Sequence, residues 1–231
     1  MTEIKLIIFD CDGVLVDSEY LAAKYELQTY AAFGFEMEVD QFAAEFAGMS
    51  SELVFKEVEE RLGRSLPEDL LEKMKNELDD VLKAEVEMIH GADSMLDRFD
   101  QPRCICSNSG PERLKIMLQK TGLYDRFKPY IFSARELEPH TPKPQPDIFL
   151  KALNEFGVKP HEAIVVEDSV HGVMAARSAG TRIIGFTGGR HSYPAHGDQL
   201  LDAGAETIIA NFGSLPAVVD AYSQWAGIGA A

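Results

Sequence analysis

Two aspartates separated by one residue, Asp10-Cys11-Asp12, follow the apolar run Leu6-Ile7-Ile8-Phe9 and precede Gly13. An apolar run of this length reads as a strand buried on both faces, and open α/β sheets bind their ligands at the carboxyl ends of such strands. Asp10 is therefore a candidate nucleophile toward phosphorus, giving an aspartyl-phosphate. Asp12 lies two residues further, over the same space, and could protonate a leaving alcohol and then deprotonate the attacking water. Two other strand-like runs end in polar groups: Arg103–Cys106 runs into Ser107-Asn108, and Ala163–Val166 into Glu167-Asp168. The Ser107 hydroxyl and the Asn108 amide can hold phosphoryl oxygens, helped by the amino end of a helix expected over 111–121. Asp10 and Asp168 suit Mg²⁺, with the backbone carbonyl of Asp12 as a third oxygen, because this ion favours a few carboxylates plus phosphate and water. Lys143 stands in a stretch, 133–146, that holds four prolines, and it would balance the carboxylate and phosphate charge.

Each of these residues also has a plainer reading. Asp10 could be a strand-end cap, Ser107 a turn residue, Lys143 a solvated loop lysine, and Glu167-Asp168 the acidic start of a helix. Asp17 and Glu19 read as helix-start acids, and His171 as first-turn packing. His90, His140, His161, His191 and His196 show no metal-ligand spacing and carry no assignment.

The positioning elements follow from hydrophobic periodicity. A first strand is expected over 4–10. Helical patterns then cover 19–32, 39–46, 52–62 behind a Ser50 cap, and a long helix opened by Pro67, with no convincing strand between 19 and 88. From 89 onward strands alternate with helices, and Ser109 with Glu112 has capping-box spacing before Pro111. The expected fold is α/β: a Rossmann-like three-layer core with a central, mostly parallel sheet, plus a small all-helical cap. The boundaries put 1–16 and 89–231 in the core and 17–88 in the cap. The cap should govern substrate choice, with Gly48, Met49, Ser50 and Ser51 as the loop that reaches the pocket. Lys56, Arg61 and Arg64 read mainly as solvated helix charges.

The 231 residues hold 38 acidic and 22 basic side chains, a formal net charge of -16, which argues against nucleic acid as a main partner. No apolar segment reads as a membrane span or leader. Cys11, Cys104 and Cys106 lie in or beside core strands without redox spacing and read as buried thiols of a reducing compartment, so a cytoplasmic location is expected. A monomer or weak homodimer acting on a small phosphorylated metabolite is the expected assembly.

The motifs together resemble those of the haloacid dehalogenase-like superfamily. Phe9 through Glu19 is similar to its first motif and Ser107-Asn108-Ser109 to its second. Lys143-Pro144-Gln145-Pro146 and the residues after it are similar to the third, and Val166 through Val173 to the fourth. The resemblance covers nearly the whole chain. It implies Mg²⁺ dependence and an aspartyl-phosphate mechanism, with Asp10 as nucleophile and Asp12 as acid/base. It also implies Ser107 and Lys143 on phosphate, and Glu167 with Asp168 on the metal. The helical-cap members it looks like include beta-phosphoglucomutase, phosphoglycolate phosphatase and phosphatases of 6-phosphogluconate and related small phosphates. A mutase would carry a histidine where Ala22 stands and an arginine where Ser51 stands, so hydrolysis is the expected reaction. The rival readings are a phosphosugar mutase and, outside enzymes, a phosphosugar sensor or receiver-like module.

Overall fold

A computed structural model describes residues 3–46 and 49–225 of the chain. Six strands form one sheet: β1 (Leu6–Phe9), β2 (Arg103–Ser107), β3 (Ile131–Ser133), β4 (Ala163–Glu167), β5 (Arg182–Phe186) and β6 (Thr207–Ile209). Their order is β3-β2-β1-β4-β5-β6, and every neighbouring pair is parallel. All carboxyl ends therefore lie along one edge. The order reverses between β1 and β4, which opens the crevice where such sheets take ligands.

Because strand side chains alternate, β1 serves two cores. Ile7 and Phe9 pack into the layer that holds Leu114, Met117, Phe127 and Leu215, while Leu6 and Ile8 pack against Ile148, Phe149, Val173 and Leu200. The helices of these layers are α5 (Ala92–Leu96), α6 (Pro111–Lys120), α7 (Tyr124–Phe127), α8 (Asp147–Phe156), α9 (Val170–Ala179), α10 (His196–Ala203) and α11 (Leu215–Trp225), and they lie after the helical insert.

That insert comprises α1 (Ser18–Ala31), α2 (Val39–Glu45), α3 (Ser51–Leu62) and α4 (Leu70–Glu85). It has an apolar cluster of its own, built on Tyr30, Phe35, Phe42, Phe46, Val58 and Met74. Residues 11–16 form a tight turn in which Gly13 takes φ +71, a conformation that glycine adopts without a Cβ penalty. The two chain crossings between insert and sheet pair with each other: Val16 bridges Met88 antiparallel, and Ile89 N–H donates to Leu15 O at 3.0 Å.

Several boundaries differ from the sequence expectation. Pro67 does not open α4; it starts a turn whose carbonyl accepts from Leu70 N–H. Ser109 does not cap α6. The cap position is Gly110, which offers no side chain, and the Ser109 hydroxyl turns into the site instead. After residue 89 the alternation is not strict: the short helix α7 stands between α6 and β3, and α10 starts at His196. Among the described residues no helix is long and apolar enough to cross a membrane.

Candidate active site

Parallel register decides which carboxylates meet. Phe9 is in register with Val166, and Asp10 N–H donates to Val166 O at 3.0 Å, so Asp10 leaves β1 beside Glu167 at the end of β4. Asp10, Glu167 and Asp168 are all buried, and one carboxylate oxygen from each lies within 4.8 Å of the others. Like charges at that separation are costly without a cation. Lys143 supplies one. Its ammonium donates to Asp10 Oδ1 at 2.6 Å, to Cys106 O at 2.8 Å and to Glu167 Oε1. Burial alone would lower the pKa of this lysine, but Asp10 and Glu167 outweigh it, so the ammonium is held firmly charged. Burial, then the neighbouring Glu167, Asp168 and Asp12 charges, push the Asp10 carboxyl well above its ordinary range against the pull of Lys143.

Asp12 accepts three hydroxyl hydrogen bonds: from Ser18 at 2.7 Å, Ser109 at 2.8 Å and Ser107 at 3.1 Å. These fix its carboxylate over the crevice. Asn108 lies at the cavity wall beside the lysine loop. Its amide is engaged with the Lys143 backbone, accepting from Lys143 N–H at 2.9 Å and donating to Lys143 O at 3.4 Å. The Asn108 amide thus fixes the lysine loop at the cavity wall. Asp10, Asp12, Ser107, Asn108, Lys143 and Asp168 all line a single cavity of about 570 Å³. Met49 and Ser51 line a second cavity instead, Ser50 caps α3 by accepting from Leu53 N–H at 3.4 Å, and Gly48 lies outside the described residues.

Three residues border the site that the sequence reading does not assign to it. His191 donates through Nε2 to Asp168 Oδ2 at 2.8 Å, and His196 Nε2 contacts the Asp168 carbonyl oxygen at 2.6 Å. Glu19 is the third. It is the first-turn acid of α1, but it also lines the cavity, where desolvation, then Asp12 and Asp168, push its carboxyl up to about 7. The signal for the histidines was present: they follow β5, whose carboxyl end lies on the same edge as the other site residues. Arg190, in that loop, pairs with Asp17 and, at 3.2 Å, with Glu87, tying both chain crossings to the core.

The buried carboxylate trio fits a hard divalent cation, since it offers oxygen donors and carries more negative charge than the single Lys143 ammonium balances. Asp10, Glu167 and Asp168 would hold it, and the ion would offset the negative charge of the carboxylates and of a bound phosphate. Glu167 keeps its place through Ser169, whose N–H and hydroxyl donate to Oε2 at 3.1 and 3.0 Å. Gly172 leaves room for it: a methyl group there would overlap both Glu167 oxygens. Gly172→Ala is expected to displace this carboxylate and weaken divalent-cation binding by about 10- to 100-fold. Calorimetric titration with Mg²⁺ would measure it, and an unchanged affinity would remove Glu167 from the ligand set.

Comparison with known proteins adds four findings. The family model described as haloacid dehalogenase-like hydrolase matches residues 7–186. The chain is 26% identical over 195 residues to the 6-phosphogluconate phosphatase of Escherichia coli (strain K12), covering 84% of this chain and 87% of that protein. It is 28% identical over 225 residues to a Drosophila melanogaster protein named "Probable pseudouridine-5'-phosphatase", covering 92% and 95%. Among solved structures, a conserved haloacid dehalogenase-like protein of unknown function from Agrobacterium tumefaciens str. C58 is similar, with TM-score 0.89 and 48% identity over 94% of this chain and 98% of that one.

Proposed function

The chain belongs to the haloacid dehalogenase-like hydrolase family, a family with phosphatase-named relatives, and from that premise we propose a Mg²⁺-dependent phosphatase of a small phosphorylated metabolite. The substrate is a sugar, polyol or sugar-acid phosphate, of which 6-phosphogluconate is one example, and the enzyme acts in the cytoplasm. The observation that carries this reading is the meeting of Asp10, Asp12, Ser107 and Lys143 around one cavity beside a buried carboxylate trio.

In the first step an Asp10 carboxylate oxygen attacks phosphorus, the bond from phosphorus to the leaving oxygen breaks, and Asp12 gives that oxygen its proton. In the second, Asp12 takes a proton from water, the water oxygen bonds to phosphorus, and the acyl-phosphate bond to Asp10 breaks, releasing inorganic phosphate. Lys143 holds charge at Asp10 throughout, and the Ser107 hydroxyl, which rests on Asp12 at 3.1 Å, turns to donate to a phosphoryl oxygen when the substrate binds. Residues 17–88 act as the cap that shuts water out, and 1–16 with 89–231 as the catalytic core. Ala22 and Ser51 both line the cavity under the cap, and Ser51 donates to Glu26 at 2.8 Å. Neither offers the imidazole or the guanidinium that a phosphosugar mutase would use there, which favours hydrolysis.

Phosphate release from p-nitrophenyl phosphate, dependent on Mg²⁺ and abolished by chelation, tests the reading. Asp12→Asn is expected to keep Mg²⁺ affinity while turnover falls by about 10²- to 10⁴-fold, the range for a lost general acid/base. Full turnover by this variant would take Asp12 out of the mechanism.

A further inference from the structure

The leaving group must lie where the catalytic cavity opens beneath the cap, and a second cavity of about 380 Å³ begins there. The two cavities share Glu19 and His191 in their walls. The second one combines an apolar side, with Phe42, Phe46 and Met49, and a polar side formed by Glu26, Ser51 and Arg113. Ser51 already donates to Glu26 Oε1. Arg113 is the one basic side chain of arginine or lysine type in that lining among the described residues, and it is paired with Asp79, whose Oδ1 accepts from Nε at 2.6 Å. Two carboxylates, Glu19 and Glu26, therefore face this space in excess of its cations, Arg113 being paired with Asp79 and His191 with Asp168.

We infer that the site selects against leaving groups that carry a second negative charge, with Glu26 and Glu19 as the specificity-determining residues, and that it accepts an uncharged polyhydroxylated group with an apolar face. The inference rests on the phosphatase reading and narrows its substrate class. Hydroxyls donate to Glu26 and Glu19, while ring or chain carbons pack on the phenylalanines. A carboxylate or second phosphate in the same space meets both acids in a partly desolvated cavity, where like charges a few ångströms apart repel strongly. The Glu26 carboxyl supports this. Burial first, then the Glu52 charge, raises its pKa against the help of Ser51, so a hydroxyl donor relieves it and another anion aggravates it.

A matched pair of substrates isolates the charge: 6-phosphogluconate and the corresponding hexitol 6-phosphate, which differ only by carboxylate against hydroxymethyl. The hexitol phosphate is expected to have the higher kcat/KM by about tenfold or more, and Glu26→Gln is expected to shrink that ratio several-fold. Where neither compound is hydrolysed, the ratio of their inhibition constants against p-nitrophenyl phosphate is expected to follow the same order. Equal or reversed preference, with p-nitrophenyl phosphate still hydrolysed, would overturn the charge selection and leave the phosphatase standing. Loss of all p-nitrophenyl phosphate hydrolysis in the unsubstituted enzyme would overturn both.

Discussion

Asp10→Asn is expected to stop turnover, lowering phosphate release by about 10⁴-fold or more, as removal of a nucleophile does in enzymes that pass through a covalent intermediate. The amide keeps the shape of the carboxylate and can still face Lys143, so the fold around β1 should persist. It cannot bond to phosphorus as a nucleophile at useful rates, and no phosphoenzyme should form. Burial already pushes the Asp10 carboxyl upward, so removing its charge relieves the metal-free site rather than straining it. The variant should therefore melt no lower than the parent without metal. Phosphate release, acid-stable phosphoenzyme trapping and a thermal melt check these three points together. Turnover within about tenfold of the parent would take the nucleophile role from Asp10.

The second large effect is expected at Lys143. Its ammonium is buried between Asp10 and Glu167, and Lys143→Met would leave those carboxylates facing Asp168 without a cation. Removing one partner from a buried ionic cluster costs about 3–5 kcal/mol, because the remaining charges stay desolvated. In a domain of this size that corresponds to a fall in Tm of roughly 10 °C for the metal-free protein. Mg²⁺ should restore part of the loss, since it supplies the same sign of charge to the same carboxylates. Turnover should fall by about 10²- to 10³-fold even when the site is saturated with metal, because the charge opposite the transferring phosphoryl group is gone. Thermal melts with and without Mg²⁺, read beside turnover, separate the two contributions. A metal-free Tm within about 2 °C of the parent would mean that the carboxylates compensate by taking up protons.

The residues around a site are harder to read from sequence than the residues at its floor. Ser51 is one hydroxyl among many in the sequence, and Glu26 is one acid on a helix rich in polar groups. Their pairing across 25 positions arises only when α1 and α3 pack around Phe42 and Tyr30. The same holds for Ser109, whose spacing to Glu112 fits a capping box. Asp12 offers its hydroxyl a charged acceptor at 2.8 Å, a stronger partner than a helix N–H. Asn108 likewise follows a strand that points at the crevice, yet its amide meets both polar groups of the Lys143 backbone first.

What the residue order determined by itself was the set of strands and their ends. Apolar runs of four or five residues, separated by helical periods, point to a parallel sheet covered on both sides, and such a sheet brings Asp10, Ser107, Glu167 and Asp168 to one edge however far apart they lie in the chain. Tertiary structure alone decided which oxygen faces which donor. It set Lys143 between Asp10 and Glu167, brought His191 and His196 to Asp168, and turned Glu19 and Glu26 toward the space under the cap. The reason is one of length scale. Periodicity places a residue on a face or at an edge, whereas hydrogen bonds and ion pairs are settled by differences of less than an ångström, which exist only once the layers have packed.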